Sequence, residues 1–71
     1  MNDTMHGIGH QVQNTIMQDR SLQDYDIEVL DNNGIITLRG VVPTRDAREK
    51  AEAIAREIEG VTSVINELDV I

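Results

Sequence analysis

The sequence predicts an α+β fold in the order α-β-β-α-β, with a three-stranded mixed sheet and two helices packed on one face. Three observations carry this. Apolar residues recur at helical spacing in two segments, they alternate along three others, and an Asn33-Gly34 dipeptide joins the first two alternating runs. The chain has 71 residues, and a core below about 80 residues seldom supplies more than roughly 3–5 kcal/mol of net stability. It is therefore read as a single domain over 1–71, with residues 1–8 frayed.

The first segment runs to about Arg20 and sets Ile8, Val12 and Ile16 on one stripe, with Met5 three residues before. A helix is expected from about Gly9 onward. Gly7 and Gly9 each cost about 1 kcal/mol in a helix interior, so its first two turns should fray. Asp19-Arg20-Ser21 ends the run, and Leu22 is expected to fold back onto the core. From Tyr25 the period changes to two: Ile27 and Val29 alternate with Asp26 and Glu28, the pattern of a half-buried strand. Asn33-Gly34 follows, and both residue types tolerate the positive φ that a type I′ turn requires. In the second strand, residues 35–42, the positions Ile36, Leu38, Gly40 and Val42 share a face. Gly40 leaves a gap there, suited to a bulge or to a closely packed helix backbone.

Pro43 stops the strand and Thr44 is placed to cap the next helix. That helix, about Arg45 to Glu59, carries Ala47, Ala51, Ile54, Ala55 and Ile58 on one stripe, and its small alanines suggest close approach to the sheet over Gly40. Asp46 with Lys50 and Glu52 with Arg56 are i,i+4 pairs on its outer side, each worth roughly 0.2–0.5 kcal/mol. Gly60 is read as its C-terminal stop. Val61 and the alternation Val64, Asn66, Leu68, Val70 make the third strand, which the helical crossover should lay parallel to the second. The second strand is then the centre of the sheet.

Composition narrows the function. The chain has 6 Lys+Arg against 13 Asp+Glu, a formal net charge of -7, with 39% apolar residues. There is no Cys, so a disulfide framework, a thiolate metal site and thiol redox chemistry are all excluded. Tyr25 is the single aromatic residue. Base-stacking platforms are therefore absent, and the acidic balance works against a polyanion, which makes nucleic acid an unfavourable partner. The N-terminal residues lack a basic region followed by an unbroken apolar stretch, and no segment is long enough to span a bilayer. As written, the chain is expected to stay in the cytoplasm; if a signal segment has been removed, the alternative is the periplasm.

Taken in order, Ile27-Glu28-Val29, Asn33-Gly34, Ile36-Thr37-Leu38-Arg39-Gly40, Val42, the alanine-rich helix, Gly60-Val61, Val64, Asn66 and Leu68 form a series. This series resembles the BON domain of bacterial osmotic-stress and outer-membrane proteins over about Leu22 to Val70. The first helix agrees with that family's leading helix in place and length. The resemblance implies an α-β-β-α-β fold, no catalysis, and binding of phospholipid membranes or other envelope components, often under osmotic stress. One member that it resembles binds potassium.

Two surfaces stand out as candidate sites. Arg39, Arg45, Arg48 and Lys50 fall within twelve positions around the start of the second helix, whose N-terminal dipole adds positive potential. They are the candidate contact for an anionic lipid head group, which gains about 1 kcal/mol per nearby basic residue; Asp46, Glu49 and Glu52 in the same stretch favour a plain salt-bridged face instead. The second surface is the sheet face away from the helices, where alternation places Leu30, Ile35, Val41, Ile65 and Ile71. Five aliphatics on an uncovered face suggest that a partner or a second copy packs there.

The remaining features have plainer readings. His6 and His10 stand four apart, but without an assured third ligand they are read as exposed. Asp24, Asp26, Glu28 and Asp31 crowd the first strand, where alternation shows them to water rather than to an acid/base site. Ser21, Ser63 and the threonines have no nucleophile motif around them, and Gly7-Ile8-Gly9 lacks the preceding strand of a phosphate loop. Asn66, polar on an inward face, is expected to hydrogen-bond a loop backbone, since an unpaired buried amide costs roughly 1–3 kcal/mol. No cofactor or metal is expected. The reading is a non-catalytic binding module for a phospholipid surface or an envelope or stress-related protein partner. The alternatives are a potassium-responsive domain and a self-associating structural module.

Overall fold

A computed structural model of the chain describes residues 7–71. Along it stand α1 (Ile8–Met17), β1 (Ile27–Asn32), β2 (Ile35–Val42), α2 (Arg45–Glu57) and β3 (Ser63–Val70). This is the expected α-β-β-α-β order of an α+β fold. The sheet order is β1-β2-β3, with β1 antiparallel and β3 parallel to the central β2. The parallel pairing follows from the crossover, because α2 carries the chain back along the sheet before β3 begins. The core gathers Val12, Ile16, Leu22, Ile27, Ile36, Leu38, Val42, Ala47, Ala51, Ala55 and Leu68, so both helices and all three strands contribute to one cluster.

α1 buries Val12 and Ile16 as its four-residue stripe requires. Its start differs from expectation, since Gly9 lies inside the first turn rather than in a frayed end. Packing supplies the reason: a Cβ on Gly9 would come within 2.8 Å of the Asp31 Cβ, so glycine lets α1 lie against β1. The helix also stops at Met17, short of Arg20. There the Asp19 Oδ1 accepts from the Ser21 N–H at 2.9 Å and from its hydroxyl at 2.6 Å, a local turn that competes with helix. Leu22 then returns to the core, fully buried.

The hairpin turn is as the dipeptide predicts, with φ of 53° at Asn33 and 90° at Gly34. Asp31 braces it by accepting from the Gly34 N–H at 3.1 Å. Gly40 has a different close neighbour from the helix backbone expected. Its φ is 142°, and a Cβ there would lie 2.5 Å from the Asp26 carbonyl oxygen. The close neighbour is thus the chain entering β1, not the alanine face of α2.

α2 opens as expected, with the Thr44 Oγ1 accepting from the Ala47 N–H at 3.1 Å. It ends at Glu57 rather than Glu59, because Ile58 is extended and its side chain packs on the core. Gly60, φ 99°, therefore does not cap the helix. It occupies the third position of a turn closed by Val61 N–H to Ile58 C=O at 3.1 Å, a position that requires positive φ in a type II turn. Val61 is left in this connection, and β3 starts at Ser63.

Candidate functional site

Of the four basic residues, Arg39 lies on β2 and Arg45, Arg48 and Lys50 lie on α2, and their contacts differ. Arg39 stands on the uncovered face of β2, between Glu28 and Glu67 in cross-strand register, and its Nε donates to the Glu67 Oε1 at 3.0 Å. Both side chains are about half exposed, so the pair is worth no more than about 1 kcal/mol. Arg45 is the exposed first residue of α2, with no ion pair among the described residues. Arg48 is half-buried and its Nη2 donates to the Asn66 carbonyl at 3.3 Å. Lys50 reaches the Asp19 carboxylate at 3.2 Å, not Asp46 as the i,i+4 spacing suggests. Tertiary placement wins here, because the turn after α1 brings an aspartate beside α2. The Glu52–Arg56 pair is present at 2.8 Å.

Asn66 also finds a different partner from the loop backbone expected of it. Its Nδ2 donates to the Arg48 carbonyl at 2.9 Å and to the Glu52 Oε1 at 3.2 Å, and its Oδ1 accepts from the Leu68 N–H at 3.1 Å. With Arg48 reaching back to the Asn66 carbonyl, side chain and backbone of the two residues are exchanged reciprocally, which ties α2 to β3. The small side chains of Ala47, Ala51 and Ala55, all buried, permit that approach.

Two carboxyls in these contacts titrate low. The Arg56 guanidinium, then the Asn66 amide, hold Glu52 below its ordinary pKa. The Ser21 hydroxyl and N–H, with Lys50, do the same for Asp19. A carboxylate whose folded pKa is depressed contributes stability above its unfolded pKa and loses it as pH falls through the folded value. The melting temperature is therefore expected to be flat from pH 8 to about 5 and to fall below that. Asp19→Asn should flatten part of the acid limb in a calorimetric pH series; an unchanged limb in this variant and in Glu52→Gln would contradict the assignment.

Of the other expected features, Asp24, Asp26, Glu28 and Asp31 are all exposed, as is His10. His6 lies outside the described residues, so the spacing of the two imidazoles is not defined here. Among the described residues no three His, Cys, Asp or Glu side chains group to hold a metal ion.

The sheet face opposite the helices has a row structure that alternation alone does not show. Leu30, Thr37 and Ile65 are register partners across the three strands, and Ile35 stands in the neighbouring row between Asn32 and Ser63. Leu30, Ile35 and Ile65 are 37–45% exposed; Ile35 lies diagonally beside each of the other two, and Thr37 stands between Leu30 and Ile65. The row Glu28, Arg39, Glu67 comes next, and Val41 and Ile71 fall beyond it, with Ile71 86% exposed. The five aliphatics thus form a group of three and two outliers, separated by charge. A further surface has no signature in the sequence pattern: Gln13 and Met17 of α1 line a groove together with Tyr25, Asp26, Ile27 and Glu28. Met17 stands off the buried stripe, on no pattern of its own.

No helix among the described residues is long and apolar enough to cross a membrane. Residues 6–71 match the family model of the BON domain. Over 60 residues, 83% of this chain, the sequence is 35% identical to the outer membrane lipoprotein DolP of Haemophilus influenzae, and it spans 31% of that protein's length. The family match covers nearly the whole chain and coincides with the α-β-β-α-β order built above, so the protein belongs to the BON domain family.

Proposed function

We propose that this chain is a non-catalytic binding module of the bacterial envelope that receives a protein partner on its uncovered sheet face. The observation that carries the reading is the group of Leu30, Ile35 and Ile65, left exposed because α1 and α2 both cover the opposite face. Exposed apolar side chains grouped across three strands regain their hydration cost when a partner covers them. The charges around them select the partner. Glu28, Glu67 and Asp69 surround the single Arg39, so the face repels anionic lipid and a second copy of itself, and favours an apolar surface with a basic rim. The similarity to an outer membrane lipoprotein supports the periplasmic side of the envelope over the cytoplasm.

Lipid contact through Arg39, Arg45, Arg48 and Lys50 is the competing reading. It is weakened by the engagement of Arg39, Arg48 and Lys50 in separate contacts. A photo-crosslinking residue at position 65, compared with one at position 49 on the outer side of α2, tests the proposal in cells. One discrete protein adduct is expected at 65, lost on Leu30→Asp, with none at 49. Salt-sensitive co-flotation with phosphatidylglycerol vesicles, abolished by Arg45→Glu with Arg48→Glu, would replace this reading with the lipid one. A dimer in sedimentation would replace it with self-association, and melting raised by potassium but not sodium chloride with ion sensing.

A further inference from the structure

The two edges of the sheet are finished differently, and from this we infer that the free edge of β1 receives an extended cationic peptide segment as a fourth strand. Just past β3, the Ile71 N–H donates to the Val42 carbonyl at 3.2 Å. That phase of the parallel ladder turns the N–H and C=O of Val64, Asn66, Leu68 and Val70 toward the free edge. The middle of this edge is closed by side chains, the Leu68 N–H by the Asn66 Oδ1 and the Asn66 C=O by the Arg48 Nη2. Occupied edge groups cannot template a new strand.

β1 has no such closure. Its two-residue turn makes Asn32 and Ile35 a mutually hydrogen-bonded pair, so Leu30 with Thr37 and Glu28 with Arg39 follow in the same phase. The backbone groups of Ile27, Val29 and Asp31 therefore point away from the sheet. Among the described residues none of them has a hydrogen-bond partner. At Asp31, Gly9 of α1 lies close and narrows access. The open stretch is Ile27 to Val29, and beside it runs the groove lined by Met17 and Tyr25, with Met17 56% exposed. A strand added there bonds its main chain to Ile27 and Val29 and sets alternate side chains against Met17 and Tyr25.

Charge selects the occupant. Asp24, Asp26 and Glu28 are exposed around this edge, and no Lys or Arg lines the groove. A second copy pairing β1 with β1 would oppose these acids to one another, whereas Lys or Arg on the incoming strand would pair with them. This surface meets the Leu30, Ile35 and Ile65 face at Glu28 but uses main-chain groups of Ile27 and Val29 that the face does not, and the inference stands or falls without that reading.

The test uses the whole chain, nitrogen-15 labelled, with a short end-blocked peptide of alternating Lys and Val. Saturable shifts and slowed hydrogen exchange are expected at the amides of Ile27 and Val29. They should be lost with a Glu-Val peptide and with a Lys-Val peptide N-methylated at alternate amides, and retained in Ile65→Asp. Asp26→Lys with Glu28→Lys changes only exposed side chains, so it should keep the dispersed spectrum and lose peptide binding. Equal binding of the Glu-Val or N-methylated peptide, shifts centred on Leu30, Ile35 and Ile65, or no saturable shift would overturn the inference. So would concentration-dependent shifts at Ile27 and Val29 without peptide, which would assign the edge to a second copy.

Discussion

Gly40→Ala should abolish cooperative folding or bring it to the verge of doing so. The backbone at Gly40 has φ 142°, a region open essentially to glycine alone and costing a side-chain-bearing residue of order 1–3 kcal/mol. The new Cβ would also lie 2.5 Å from the Asp26 carbonyl oxygen. A backbone atom cannot rotate away as a side chain can, and such overpacking costs typically 1–3 kcal/mol more. Together these match the roughly 3–5 kcal/mol that a core of this size supplies. Urea denaturation followed by circular dichroism reads the loss directly. Gly7→Ala is the control, since nothing lies within 4 Å of a Cβ there, and its midpoint should stay near that of the unchanged protein. A Gly40→Ala protein with an unshifted midpoint would show that β1 can retreat from β2 without penalty.

Leu38→Ala is the second large effect. Leu38 is fully buried on the central strand, and truncating such a leucine costs about 2–5 kcal/mol through lost transfer energy and the cavity left behind. Leu30, the same residue type on the neighbouring strand, is 39% exposed on the other face, and Leu30→Ala should change stability by only about 0.5 kcal/mol. Urea midpoints of the two variants, at unchanged slope, measure the contrast. Comparable losses at both positions would mean that the uncovered face is packed against something in solution.

Much of the fold was readable because its signals lie between near neighbours in the chain. The stripe of Val12 and Ile16, the alternation through Ile36, Leu38 and Val42, the turn at Asn33-Gly34 and the cap at Thr44 all depend on residues within a few positions of one another. Where local rules misled, a distant contact intervened. Gly9 joins the helix because Asp31 lies beside it, and the helix after Thr44 ends early because Ile58 extends to reach the core. The candidate surfaces were less legible. Alternation places Leu30, Ile35, Val41, Ile65 and Ile71 on one face, but it carries no information about which of them share a row.

Periodicity and turn chemistry in the chain thus determine the order α-β-β-α-β and most of the inward residues, Val70 at the end of β3 being exposed. These are properties of backbone geometry repeated every two or 3.6 residues, and they need no knowledge of what lies across the sheet. The register between strands and the seat of α2 over β3 decide the rest. They put Glu28, Arg39 and Glu67 in one row, pair Lys50 with Asp19, and close the β3 edge through Arg48 and Asn66. Each of those outcomes depends on distances between residues far apart in sequence, which are set only when the core of both helices and all three strands has packed.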